Sequence, residues 1–446
     1  MTKIKLRQTI QTALTIALSV TLVGCDSAQR TISGPVEGNS FAVANVRVFD
    51  GTQTIENTTV VVREGLIDSV EVEATPPPGL PILDGHGLTL IPGLIDAHTH
   101  TYYEGALIDA LRFGVTTELD MLTSVDFAAR YKSCRDSMER TRLADLWTSV
   151  RLVTAKRNEW LQNPTLSSPG EAEEFVLARI NEGSDYIKIH YEPNRPEFVP
   201  VISKDTLDAT VMAAHAHSKL AVVHVTQLEP TRDAVEAHVD GLAHVFSDEV
   251  IDAALLKRMK LDDTFVIATL SVFIAGQTDE EPWKDLIADD RLAPYLSEDQ
   301  LASLRFLETN ELDNSRIDPE ISRSNVLHLQ TQGLDVLAGT DAPNPGTAHG
   351  VSLHGELAEL VKAGLTPAQA LAATTSLPAE RFGLKDRGRI EPGLRADLVL
   401  VDGDPTSDIT ATRAIARIFK NGYQVNRLVP TKPPDERDAS DESVAK

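Results

Sequence analysis

Short apolar runs alternate with stretches of helical period through most of this chain, and that alternation calls for a parallel sheet covered by helices. Eight runs are readable: Leu90–Ala97, Gly114–Met121, Val150–Val153, Tyr186–His190, Ala221–Val225, Leu242–Phe246, Phe265–Leu270 and Asp335–Gly339. Eight strand–helix units predict an α/β fold, a TIM-like (β/α)8 barrel over residues 91–386. Such a barrel carries its chemistry at the C-terminal ends of its strands. The seventh connection, 271–334, is long and rich in Asp and Glu. It reads as a helical insertion, either a lid over the mouth or decoration.

The two ends of the chain have a different period. Val43, Val46 and Val48 precede Thr58–Arg63 and Leu66–Val72, with Glu64-Gly65 between the last two runs. Near the other end come Asp397–Val401, Ile415–Lys420 and Tyr423–Asn426, with Asn421-Gly422 as a two-residue hairpin cue. Residues 41–90 and 387–428 are therefore expected to form one small β-sandwich, with the barrel inserted in it.

Residues 1–24 look like an address. Lys3, Lys5 and Arg7 precede an uncharged apolar stretch from Ile10 to Val23, shorter than a usual membrane span. Leu22-Val23-Gly24-Cys25 resembles the lipobox of bacterial lipoprotein signals, which implies lipid on Cys25 and anchoring in the cell envelope, on the periplasmic side of a membrane. Asp26 favours the inner membrane in that class of signal. A plain signal peptide with an incidental Cys is the alternative. Residues 25–40 read as a polar tether, and 429–446, Pro- and charge-rich, as a disordered tail. Lys and Arg number 42 against 66 Asp and Glu, a formal charge of −24. That balance argues against nucleic acid as a partner and against adsorption to anionic lipid. The two cysteines, Cys25 and Cys134, offer no disulfide framework.

Polar residues stand at the ends of separate apolar runs. His98 and His100 follow Ile91-Pro92-Gly93-Leu94-Ile95-Asp96-Ala97; on a strand, residues i and i+2 share a side. Two imidazoles so placed converge on one ion. Lys188 sits among apolar residues in Tyr186-Ile187-Lys188-Ile189-His190, where a bare charge is costly. His224, His244 and Asp341 end three further runs. One such residue is ordinarily a satisfied core group; six in this order, all at strand ends, point to a metal centre.

Pro92-Gly93-Leu94-Ile95-Asp96-Ala97-His98-Thr99-His100, with Lys188, His224, His244 and Gly339-Thr340-Asp341, resembles the metal-dependent amidohydrolase superfamily. Gly388-Arg389-Ile390-Glu391-Pro392-Gly393 and Ala396-Asp397-Leu398-Val399 are similar to its return to the β-sandwich. Leu353-His354-Gly355-Glu356-Leu357 is similar to the imidazolonepropionase-like and peptidase-like subgroup. The resemblance implies that His98, His100 and Asp341 hold one divalent ion and that His224 and His244 hold a second. Lys188, carboxylated on its amine, would bridge them. It implies a metal-bound hydroxide attacking an amide, peptide or cyclic amide carbon; His and carboxylate ligands suit zinc, with other divalent metals open. Asp341 would be the catalytic proton carrier. Small substrates are implied: a dipeptide, an N-acyl amino acid or a cyclic amide. The alternatives are a one-metal cyclic-amide hydrolase or deaminase, and a non-catalytic lipid-anchored binding protein on the same barrel.

Around these residues, His190, Tyr191, Tyr102 and Tyr103 are candidate substrate contacts. Arg157 or Tyr191 could meet a substrate carboxylate. Glu118 and Asp120 end the second run, and one of them is expected to face the pocket. His215 and His217 are expected at the surface, His349 and His354 in packing, Asp84, His86 and Asp96 in local hydrogen bonds, and Cys134 as an inert thiol.

Overall fold

Gly93 divides the first apolar run between two sheets. In the computed structural model, which describes residues 34–155, 164–193, 201–276, 281–310 and 317–429, Leu88–Pro92 is a strand of the terminal β domain and Leu94–Thr99 opens the barrel. A side chain at residue 93 would collide with Thr116, so glycine is required at this junction.

The barrel strands are β1 (Leu94–Thr99), β2 (Val115–Asp120), β3 (Asp145–Thr148), β4 (Ile187–His190), β5 (Ala221–His224), β6 (Gly241–Ala243), β7 (Phe265–Ile267) and β8 (Val336–Leu337). They pair in parallel, β1 to β3 and β4 to β8. Two seams close the ring. At one, Val153 N–H donates to Lys188 O at 2.8 Å and His190 N–H to Val153 O at 3.0 Å; at the other, Ala97 N–H donates to Ala338 O at 2.9 Å. The third strand lies earlier than the sequence suggests, at Asp145–Thr148 instead of Val150–Val153. Val150 is left-handed (φ 58°), which interrupts extension, and Val153 keeps a single bridge to Ile189. Ile95, Ala97, Leu119, Met121, Tyr186, Val222 and Phe265 fill the barrel, while Ile187, Ile189 and Val223 pack outward under the helices. Alternation thus turns Lys188 and His224 inward.

The two chain ends share one eight-stranded sheet. Its order runs Tyr423–Gln424, Ile415–Lys420, Leu398–Asp402, Leu88–Pro92, Phe41–Phe49, Thr54–Arg63, Leu66–Val72, with Ile82–Asp84 beside Phe41–Phe49. The halves meet where Leu398–Asp402 runs antiparallel to Leu88–Pro92. Glu64 and Gly65 (φ 51° and 81°) and Asn421 and Gly422 (φ 52° and 75°) adopt the paired positive φ of tight hairpins. Within the segment expected to be a tether, Val36 is packed: it is buried and its N–H donates to Gln424 Oε1 at 2.9 Å. Residues 1–24, expected to be a signal, with Cys25, Asp26 and residues 430–446, lie outside the described residues.

The described part of the insertion is helical, at Pro282–Ala288 and Glu298–Leu304, while Pro319–Thr331 is the barrel helix leading into β8. Trp283, Leu286, Leu292 and Leu304 pack with Phe113, Ala348 and Val351. Ser303 Oγ donates to Thr347 O at 2.7 Å, clasping the loop after β8.

Beneath the barrel, an ionic network joins the two domains. Lys420, fully buried, donates to Asp145 Oδ2 at 2.7 Å and to Asp397 Oδ2 at 2.8 Å. Buried Arg387 donates to Asp145 and to Thr117 Oγ1. An acidic residue can therefore begin β3 because two cations from the C-terminal segment neutralise it. Removing one partner strands a buried charge, which costs about 3–5 kcal/mol. Lys420→Met is expected to lose at least about 3 kcal/mol in denaturant unfolding. Breaking the exposed Arg63–Asp68 pair should cost less than about 1 kcal/mol in the same assay.

His354 links the helix Val351–Lys362 to both domains: Nδ1 pairs with Thr412 Oγ1 and Nε2 with Phe113 O, each at 3.0 Å. Burial pushes its imidazole down to about 3 from an ordinary 6.5. Between those values the unfolded chain binds a proton that the native one refuses, so stability rises with pH from about 3 to 6.5 and then levels. His354→Gln should flatten the slope of unfolding free energy against pH between pH 4 and 6. Coincident slopes for the two proteins would refute this.

Candidate metal centre

At the C-terminal mouth of the barrel, residues from five strand ends converge. His98 lies in β1 and His100 just beyond it; Lys188 lies in β4, His224 ends β5, His244 follows β6 and Asp341 follows β8. His98 Nε2 is 3.3 Å and His100 Nε2 2.9 Å from Asp341 Oδ1; His244 Nε2 is 3.9 Å from Asp341 Oδ2 and 3.0 Å from His224 Nδ1. The His98 and His244 rings stack, with centroids 4.7 Å apart. Lys188 Nζ, His98 Nδ1 and His100 Nδ1 are buried and have no hydrogen-bond partner among the described residues.

Electrostatics keep the imidazoles in their ligand form. Burial, with the Lys188 charge, holds His98 well below 6.5. Burial and His190 do the same for His224, and burial takes His244 to about 3. Burial pulls the Lys188 amine down to about 7, against the opposing pull of Asp341 and Asp120. Burial alone would raise the Asp341 carboxyl, but its hydrogen bond with His100 and the surrounding positive charge hold it below its ordinary value.

The donor set fits a divalent ion. His98, His244 and Asp341 each offer one ligand atom, all within 4.8 Å of one another. Imidazoles held below their ordinary range and an ionised carboxylate are the kinds of donor such a site uses.

The backbone that aims these groups depends on Asp96. Its Oδ1 accepts from His98 N–H at 3.1 Å and Thr340 N–H at 3.0 Å, and Oδ2 pairs with Thr340 Oγ1 at 2.7 Å. Asp341 itself is left-handed (φ 57°), and its N–H donates to His98 O at 2.7 Å.

The expected substrate contacts separate. Tyr102 is exposed and its ring lies parallel to His100, with centroids 6.2 Å apart. His190 stacks on His224 at 4.5 Å. Tyr103 meets His349 edge-on at 6.3 Å. Tyr191 is not gathered into the site. Its ring is buried in the helix layer and its hydroxyl donates to Asp233 Oδ2 at 2.8 Å, because the strand's alternation turns it outward. Asp120 is the pocket-side acid of its pair, beside His100 and Lys188, and burial raises it to about 7. Glu118 pairs instead with His349 Nδ1 at 2.9 Å and Thr101 Oγ1 at 2.8 Å. His215 and His217 pair with Asp240 and Glu173 outside the site. Cys134 is half-buried, and Arg157 lies outside the described residues.

Sequence reasoning missed two residues. Thr269 Oγ1 lies 2.5 Å from His244 Nδ1, and buried Glu192 places Oε1 3.8 Å from His224 Nε2. Each sits two residues after the end of a strand, a position that marks the mouth of a barrel.

A model of the amidohydrolase family matches residues 89–425, well over half of the chain. The chain belongs to the amidohydrolase family. Imidazolonepropionase of Deinococcus radiodurans is 26% identical to it over 395 residues, spanning 83% of this chain and 92% of the relative. Among solved structures, a Xaa-Pro dipeptidase with bound methionine in the active site superposes with a TM-score of 0.69 at 18% identity, covering 86% of this chain and 99% of that one. Phenylurea hydrolase B reaches 0.70 at 20% identity, covering 88% and 98%. This amidohydrolase is thus a metal-dependent hydrolase of carbon–nitrogen bonds with a TIM-like barrel and a β-sandwich domain.

The placement of the tyrosines is directly testable in the amidohydrolase. Tyr191→Phe should cost about 1 kcal/mol of stability, for one lost hydrogen bond, and leave kcat/KM unchanged. Tyr102→Ala should raise KM with stability unchanged. A kcat/KM loss in Tyr191→Phe alone would reverse the assignment.

Proposed function

We propose that the protein hydrolyses a small amide or peptide, a dipeptide or N-acyl amino acid, at a centre for two divalent ions, taken as zinc. His98, His100 and Asp341 would hold one ion, His224 and His244 the other, and Lys188, carboxylated on Nζ, would span both. The carrying observation is Lys188: a buried amine with no hydrogen-bond partner among the described residues, near enough to His98, His224 and His244 for its charge to lower their imidazoles. Carboxylation turns that amine into an anionic ligand and removes the cost of a buried cation. The peptidase-like side of the subgroup resemblance and the dipeptidase neighbour support the substrate class. A cyclic amide is the second reading, favoured by the imidazolonepropionase relative alone.

When bound, the ions supply Lewis acidity toward water and the scissile carbonyl. The chain's own residues do the rest. Asp341, ionised and facing the pocket, accepts a proton from the attacking water and returns it to the leaving nitrogen. One C–O bond forms and one C–N bond breaks, giving a carboxylate and an amine. Tyr102, lying parallel to His100, and His190, stacked on His224, would orient the substrate.

Metal analysis of the purified protein, with turnover of a dipeptide and N-acyl amino acid panel, tests this reading. Two equivalents of metal falling on Lys188→Ala are expected. A stoichiometry near one that survives Lys188→Ala would overturn the bridged centre, and absence of turnover across the panel would overturn the substrate class.

The proposal extends to location: lipid on Cys25 anchors the enzyme on the periplasmic side of a membrane, with Asp26 favouring the inner one. Among the described residues no helix is long and apolar enough to cross a membrane. Cys25→Ala should move the protein from the membrane pellet to the soluble fraction; no change would remove the lipid from the account.

A further inference from the structure

Thr269 stands at the N-cap of the helix Leu270–Ile274, where a Thr hydroxyl ordinarily accepts a hydrogen bond from its own helix. Here it makes no such bond. Its backbone is left-handed (φ 50°, ψ 43°), a strained conformation for a β-branched residue. That conformation places the hydroxyl against His244 Nδ1 at 2.5 Å. The missing cap comes from elsewhere: Leu270 N–H and Ser271 N–H donate to the Glu356 carboxylate at 2.9 and 2.7 Å. The helix end is satisfied by a distant carboxylate, and the threonine is released for the imidazole. The outer nitrogens of His98 and His100 have no partner among the described residues, so His244 is the ring of these three that is held from behind.

We propose that Thr269 is a positioning residue for the metal centre. By accepting a hydrogen bond from Nδ1–H of His244, it fixes the ring's orientation and leaves Nε2 as the lone pair presented to an ion. The inference rests on the reading of His244 as a ligand.

Zn2+ titration of the metal-free full chain, read as binding affinity and paired with the Tm of the metal-free form, tests it. Thr269→Val should weaken Zn2+ binding by about tenfold or more, and Thr269→Ser should recover most of that loss. Thr269→Gly, which accepts the backbone conformation freely, should lose affinity as Thr269→Val does, and it serves if the valine variant fails to fold. A merely structural residue would move Tm and leave the affinity of the folded protein unchanged. Wild-type affinity in Thr269→Val or Thr269→Gly, with binding lost in His244→Ala, would overturn the role of Thr269 alone. Wild-type affinity in His244→Ala would overturn the ligand reading and this inference with it. A serine variant as weak as the valine variant would also overturn the inference.

Discussion

Closing eight parallel strands into a ring requires the first and last to find a common register across 244 residues of sequence, and the Asp96 carboxylate supplies it. It binds the backbone of His98 on one side and the backbone and hydroxyl of Thr340 on the other. Every bond falls beside a residue of the metal centre. Register at this seam and the distance between the His98–His100 pair and Asp341 are therefore one quantity. Burial and nearby Glu118 raise this carboxyl group to about 8, and the partners at both of its oxygens fix its geometry.

Reading by period succeeded where side chains alternate strictly. In β4, Ile187 and Ile189 pack under the helices while Lys188 turns inward, which is what an apolar run with one cation predicts. The same period, carried one residue further, shows why Tyr191 leaves the site. The third strand was hidden for a different reason. Asp145-Leu146-Trp147-Thr148 opens on an acid, and no local rule places a buried acid at a strand start; its partners, Lys420 and Arg387, lie more than 240 residues away. Thr269 was hidden because its importance is conformational: a left-handed β-branched residue is invisible to pattern, and its release from capping depends on Glu356. The metal-centre residues were legible because strand ends are short, local and chemically conspicuous. Their supporting residues were not, because they act through backbone groups and distant partners.

The two faces of the barrel divide the work. At the lower face, two buried cations and two buried carboxylates neutralise each other completely and leave nothing to react. At the upper face, burial lowers the proton affinity of the imidazoles and of the Lys188 amine, which lies beside Asp341 and Asp120. Stability and reactivity are separated along the barrel axis.

The join between Leu88–Pro92 and Leu398–Asp402 also orders events in time. A ribosome delivers the chain from one end, so the strands at residues 41–92 emerge with one edge bare and wait for some 300 residues of barrel before their neighbour exists. Until then that edge can pair with any other extended segment. The domain begun first is among the last completed. Truncation of the final strands therefore bares the edge of the opening ones.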